Sequence, residues 1–192
     1  MKQLAQWISI IAHPFTMITL LVAVTAMRQS SGHAIHSVLL VFFVVIVPIS
    51  VLMFWQVYRG RWSNADASNP SERPILFLSA IAGLLAALGW LHLHNPHSFL
   101  IQGMLVTAGL FLLAAILNRW IKLSLHVAFA ALTATTLSLM SSWVGYVLFA
   151  LIPLLFWSRL ALARHRIHEL AIGLVLDRIR ACSVVRADLA DF

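Results

Sequence analysis

Long apolar runs alternate with short polar gaps along almost the whole chain. A run of about 18 or more apolar residues, wound as a helix, spans a hydrocarbon core of roughly 30 Å. The first such run is Trp7–Met27, interrupted only by His13 and Pro14, and the second is Val38–Tyr58, with Pro48 as an expected kink. Ile75–Leu91 and Phe99–Leu117 follow, joined by the polar turn HLHNPHS. Next come Val127–Met140 and Val144–Trp157, either side of an SSW turn. A last run, Leu170 to about Val185, carries Asp177, Arg178 and Arg180 and reads as a partial span. The pattern predicts an all-α, polytopic membrane helix bundle of six or seven helices. No repeat, heptad pattern or domain linker is visible, so residues 1–192 are read as a single domain. Val24-Thr25-Ala26 resembles a signal-peptide cleavage site, but the apolar stretch before it exceeds the about 7–15 residues of a signal. The first run is therefore expected to be a helix of the mature protein.

Composition narrows the function classes. Hydrophobic residues make up 61% of the chain and charged residues 10%, against about 25% charged in soluble domains. A chain of 192 residues cannot hide that much apolar surface in one water-soluble core. An ordinary soluble enzyme, a disordered protein and a disulfide-stapled module are excluded. The one cysteine, Cys182, has no partner for an internal disulfide or a metal cluster. A net charge of +7 raises nucleic acid as a partner. The basic residues, however, sit in the gaps between apolar runs, which points to the bilayer and not to nucleic acid. The expected location is a bacterial inner (cell) membrane, crossed several times.

Three polar gaps carry the chemistry: Arg59–Pro74, Asn118–His126 and Ser158–Glu169. Two crossings separate each gap from the next, so all three face one membrane surface. Together they hold eight of the 13 basic residues, namely Arg59, Arg61, Arg73, Arg119, Lys122, Arg159, Arg164 and Arg166. The opposite turns, HLHNPHS and SSW, hold no Lys or Arg. The positive-inside rule accounts for the charges by themselves. It does not account for Ser124, His126, His165, His168 and Glu169 among them. Guanidinium forks pair with two phosphate oxygens, and histidine moves protons or accepts a phosphoryl group. A phosphate at the membrane surface suits this set.

At these residues the chain resembles the type 2 phosphatidic acid phosphatase superfamily, which includes bacterial acid phosphatases and vanadium haloperoxidases. Its third motif is Ser-Arg, five residues, His, three residues, Asp. Ser158-Arg159, LALAR, His165, RIH and Glu169 keep every spacing, with Glu in place of Asp, and Gly173 matches a glycine common in the family. The second motif, Pro-Ser-Gly-His, survives as Leu123-Ser124-Leu125-His126. The first, Lys, six residues, Arg-Pro, keeps Arg73-Pro74 but has Asp66 where the lysine stands. The resemblance runs from Asp66 to Gly173, within a motif-bearing core of about residues 59–173.

The resemblance implies a single integral membrane phosphatase domain that needs no metal or other cofactor. Its substrate would be a lipid phosphate or diphosphate: phosphatidate, phosphatidylglycerol phosphate, or a polyprenyl phosphate or diphosphate. Arg73 and Arg159 would clamp the phosphoryl oxygens, aided by Ser124 and a backbone N–H near Leu125. Lys122 or Arg164 would supply the charge of the missing lysine. His165 would attack phosphorus and form a phosphohistidine, with Glu169, on the same face if this stretch is helical, holding its other ring nitrogen. His126 would protonate the leaving oxygen and then activate water.

Other features read as structural. His92, His94 and His97 suggest a metal cluster, but no Cys, Asp or Glu supports it, and interfacial polarity is the expected role. His13 and Pro14 are expected to make a kink or a packing contact. The loop SNADASNPSERP, with only Asp66 and Glu72, is too poor in carboxylates for the Mg²⁺-diphosphate loop of a membrane prenyltransferase. The rival from another class is a non-catalytic protein that binds lipid headgroups. Sidedness divides two arguments: the basic residues favour a cytoplasmic site, while the superfamily's lipid phosphatases usually place theirs away from the cytoplasm.

Overall fold

The computed structural model describes residues 1–28, 34–64, 67, 69–94, 100–167 and 169–171. Asp66, His97, His168, Gly173, Cys182 and the last expected helix beyond residue 171 lie outside the described residues. Among those described, helices and turns are present and no strand, so the all-α expectation holds. Four helical stretches are long and apolar enough to cross a membrane: Val38–Tyr58, Arg73–His94, Leu100–Leu117 and Trp143–Ala161. A fifth is the pair Lys2–Ile11 and Pro14–Thr25, bent by 41°, if it is one broken span. The expected six or seven are thus not reached among the described residues. The run expected at Val127–Met140 is a helix of only 15 residues, short of the roughly 20 that a span needs.

The chain divides into two compact units. The first comprises Met1–Ser30 and Leu123–Phe192. It contains α1 (Lys2–Ile11), α2 (Pro14–Arg28), α7 (Leu125–Leu139) and α8 (Trp143–Ala161). Pro14 breaks the first apolar run. It has no N–H, its ring obstructs the carbonyl one turn back, and it disfavours helical backbone at His13. Proline is well tolerated at the first position of the helix that follows. His13 then caps α2: its carbonyl accepts Met17 N–H at 3.0 Å and its Nδ1 accepts Phe15 N–H at 3.3 Å.

Helix α7 is the buried centre of this unit, with every residue from His126 to Ala134 buried. Its alanines (128, 130, 131 and 134) let neighbours approach closely, and α2 and α8 both pack on it. Thr133 Oγ1 reaches across to the Met17 carbonyl of α2 at 3.2 Å. The turn into α8 is tight. Ser141, at φ 54°, is the left-handed residue of a Schellman motif in which Ser142 N–H bonds to Leu137 O and Ser141 N–H to Ser138 O, both at 2.9 Å. Gly145 lies directly against the Ser138 backbone, where a Cβ would overlap.

The second unit is Ser31–Lys122. It contains α3 (Ala34–Val41), a π-helical turn at Phe42–Ile46, α4 (Val47–Tyr58), α5 (Arg73–His94) and α6 (Leu100–Leu117). The expected kink at Pro48 takes the form of this π turn, which absorbs the missing proline N–H within one continuous stretch. Gly83 of α5 packs there, with only 3.1 Å between a Cβ built on it and the Val44 carbonyl. Phe54, Leu78 and Leu85 leave large apolar surfaces exposed. So does Leu105, as suits helices solvated by lipid.

Candidate functional site

In the first unit, the residues of two motifs sit at the starting end of α7, which meets the α1–α2 break at His13, and at the finishing end of α8, which packs on α1. Ser124 is the N-cap residue of α7, with extended backbone (φ −83°, ψ 103°), and its carbonyl accepts Ala128 N–H at 3.0 Å. Its hydroxyl does not cap the helix, is fully buried, and has no hydrogen-bond partner among the described residues. A helix start carries orphan N–H donors and the positive end of the macrodipole, which suits an anion. His126 is one residue into α7 and buried. Its ring stands edge-to-face against that of His13, centroids 5.2 Å apart. Leu125, between them, is half-buried.

At the other end, Ser158 and Arg159 lie in the last turn of α8 and are both buried. Arg159 is only 2% exposed, so its guanidinium must be satisfied inside the protein. It donates Nη1–H to Ser9 Oγ of α1 at 2.7 Å, while Ser158 Oγ–H donates to the Ala5 carbonyl at 2.6 Å. Ala5 and Ser9 lie one turn apart, and their small side chains let α1 settle onto α8.

Helix α8 then ends in a second Schellman motif. Arg164 N–H bonds to Arg159 O at 3.2 Å and Ala163 N–H to Leu160 O at 2.9 Å, around Ala163 at φ 51°. The condition under which His165 and Glu169 would share a helical face, a helix running through both, is not met. His165 lies in the link after this turn, and helical backbone resumes only at Ile167. The pair still meets, His165 Nδ1 to Glu169 Oε2 at 2.9 Å, because the carboxylate folds back over the new turn and also accepts Arg166 N–H at 3.1 Å. Burial holds the Arg164 guanidinium below its ordinary value.

Arg73 and Lys122 belong to the second unit. Arg73 begins α5 and is buried; its Nε–H donates to Ala67 O at 3.1 Å and its Nη1–H to Asn118 Oδ1 at 3.5 Å. Asn118 Nδ2–H donates in turn to Pro70 O at 3.0 Å. These contacts put the start of α5 and the end of α6 at one end of this unit, as the even number of crossings requires. Glu72 organises the loop before α5. Its carboxylate accepts Ser63 N–H at 2.9 Å, Asn69 N–H at 3.4 Å and Asn69 Nδ2–H at 3.0 Å. Burial works against ionisation of this group, yet the hydrogen bonds, led by the Ser63 N–H, hold its pKa below the ordinary value. Lys122 is half-buried at the end of the unit.

Sequence reasoning passed over Ser9 and expected His13 to make a kink or a packing contact. Both are present, and the packing partner is the His126 ring. The available signal was Ala5 and Ser9 at i, i+4, two small residues on a helix whose other apolar residues, Leu4, Trp7, Ile8, Ile10 and Ile11, are all large. Among the described residues, no three His, Cys, Asp or Glu side chains gather as metal ligands. His94 instead stacks on Trp90, centroids 4.6 Å apart, in the last turn of α5. Comparison with family models, curated proteins and solved structures finds no match for this chain.

Proposed function

We propose that this chain is a multi-pass membrane phosphohydrolase of the type 2 phosphatidic acid phosphatase kind, acting on a lipid phosphate or diphosphate. The carrying observation is the His165–Glu169 pair, 2.9 Å apart, at the end of the helix that bears Arg159. The first unit supplies a nucleophile with its orienting carboxylate, a buried guanidinium, and a helix start bearing Ser124 and His126. Phosphoryl transfer needs little more than positioning and charge stabilisation.

Glu169 holds the Nδ1 proton of His165, so Nε2 is the attacking nitrogen. It bonds to phosphorus while the bond from phosphorus to the lipid oxygen breaks, and His126 gives that oxygen a proton. His126, now neutral, takes a proton from water. The water oxygen bonds to phosphorus, the N–P bond breaks, and orthophosphate leaves. Arg159, Ser124 and the first N–H groups of α7 bind the equatorial oxygens throughout. A site at the ends of membrane helices suits a substrate whose tail lies in the bilayer and whose phosphate lies at its surface.

The test is phosphate release by the purified full chain in detergent with EDTA, from phosphatidate, phosphatidylglycerol phosphate, and polyprenyl phosphate and diphosphate. Release from at least one, unaffected by EDTA, is expected. No release from any of them, with binding retained, would replace the enzyme with a headgroup-binding protein.

A further inference from the structure

The N-terminal broken helix makes three contacts with motif residues. Ala5 O takes the Ser158 hydroxyl, Ser9 Oγ takes the Arg159 guanidinium, and the His13 ring packs on that of His126. We propose that Ser9 and His13 are positioning residues for the phosphatase reading on which this inference rests: Ser9 aims Arg159 at the phosphate, and His13 aims His126 at the leaving oxygen.

The chemistry of each partner fits its task. An arginine side chain has many rotamers, and a buried one needs an acceptor that fixes its plane. A carboxylate would do so but would also neutralise the charge wanted by the phosphate. The Ser9 hydroxyl is a neutral acceptor, so this bond orients the guanidinium without itself adding a counter-charge. Ser9 is itself buried at 5% exposure, and the 2.7 Å contact is as short as charge-assisted bonds become.

His13 is in turn held by Phe15. Phe15 N–H donates to its Nδ1, which puts the proton of the neutral ring on Nε2, and the Phe15 ring packs against it at 4.8 Å. Its ring is therefore a fixed wall, and the edge-to-face contact at an interplanar angle of 84° limits how the His126 imidazole can turn. A general acid must meet the leaving oxygen within hydrogen-bond reach, so a loose ring loses rate even with its proton in place.

The experiment uses the full chain in detergent, with dioleoyl phosphatidate and p-nitrophenyl phosphate as substrates and inorganic phosphate as a binding probe. Ser9→Ala should raise KM for phosphatidate, and weaken binding of inorganic phosphate, by roughly tenfold, with kcat within about twofold of wild type. Ser9→Thr, which keeps the hydroxyl, should restore both. His13→Asn keeps an acceptor for Phe15 N–H but removes the ring. It should lower kcat on phosphatidate roughly tenfold while sparing the first step on p-nitrophenyl phosphate, whose leaving group needs no acid. A merely structural defect would lower both substrates alike. Ser9→Ala behaving as wild type, Ser9→Thr failing to rescue, or His13→Asn slowing the first step equally on both substrates would each overturn this proposal while the phosphatase reading stands. A wild-type protein that neither hydrolyses these substrates nor binds phosphate would overturn that reading, and this proposal with it.

Discussion

Nδ1 of His165 and Oε2 of Glu169 are 2.9 Å apart although no shared helix brings them together. Helix α8 stops at Ala161, the chain reverses through left-handed Ala163, and Glu169 reaches back over the start of the next helical turn. Its contact with Arg166 N–H follows the logic of a capping box, in which an acid in the first turn satisfies the N–H of the cap residue. One carboxylate thus closes a helix start and orients an imidazole.

This double use predicts how the pair responds to substitution. His165→Ala should remove nearly all turnover while the protein remains folded and extractable; more than a tenth of wild-type activity would sink its role as nucleophile. Glu169→Gln keeps an acceptor for both N–H groups but loses the charge that stabilises a positive imidazole. Its kcat should fall about 100-fold with KM little changed. Steady-state kinetics on one lipid phosphate measures both.

His126 should separate from His165 by leaving group. A general acid contributes about 10²–10⁴-fold when the departing oxygen is strongly basic, as in a lipid alcohol. His126→Ala should lose most of that factor on an alkyl lipid phosphate, keep its first step on an aryl phosphate, and accumulate phosphohistidine. Equal losses on both substrates, with no trapped phosphoenzyme, would remove His126 from the acid role.

Glu72 makes a pH prediction. Its folded-state pKa lies below the ordinary value of 4.5 because Ser63 and Asn69 donate to the ionised form and outweigh burial. A depressed carboxylate contributes stability that is present above the unfolded pKa and lost as pH falls through the folded one. The gap in Tm between wild type and Glu72→Gln should be widest near neutrality and close as the pH drops below 4.5. Thermal unfolding in detergent at stepped pH checks this, and a gap that stays constant would contradict it.

Gly145 should tolerate no side chain. A Cβ there would overlap the Ser138 backbone nitrogen and approach Leu137 C to 2.7 Å, and neither is the movable end of a flexible chain. Gly145→Ala should cost about 1–3 kcal/mol by forcing α7 and α8 apart. An unchanged unfolding midpoint would mean that the hairpin yields at no cost.

Ala163 should respond in the opposite sense. It occupies the left-handed position of a Schellman turn at φ 51°, where glycine is usual. Ala163→Gly relieves the Cβ clash at some cost in unfolded-chain entropy, for a net gain of a few tenths to about 1 kcal/mol. Its kcat should be unchanged, since the turn's hydrogen bonds remain. A lower Tm would show that the alanine methyl supplies packing that outweighs the strain.

What could be read from the sequence was whatever is local to it. Apolar run lengths marked the four helices long and apolar enough to span a membrane within a few residues of their ends, because a helix takes up a contiguous stretch of chain. Pro14 announced the break of the first run, since a missing N–H acts within one turn. The count of helices was less legible: a run such as Val127–Met140 looks the same whether it spans a bilayer or forms the short buried centre of a unit. The spacing of Ser158, Arg159, His165 and Glu169 identified a candidate site, but not its geometry, which depends on a left-handed turn at an alanine that no residue type signals. Ala5 and Ser9 mark a small-residue stripe on α1, but the partner of Ser9 was beyond reach, because it meets Arg159 across 150 positions of sequence. His13 meets His126 in the same way, and Glu72 knots its loop through Ser63 and Asn69. Such contacts are set by how helices rotate and pack against one another. Periodicity shows which face of a helix is apolar; only packing decides which partner lies across from it.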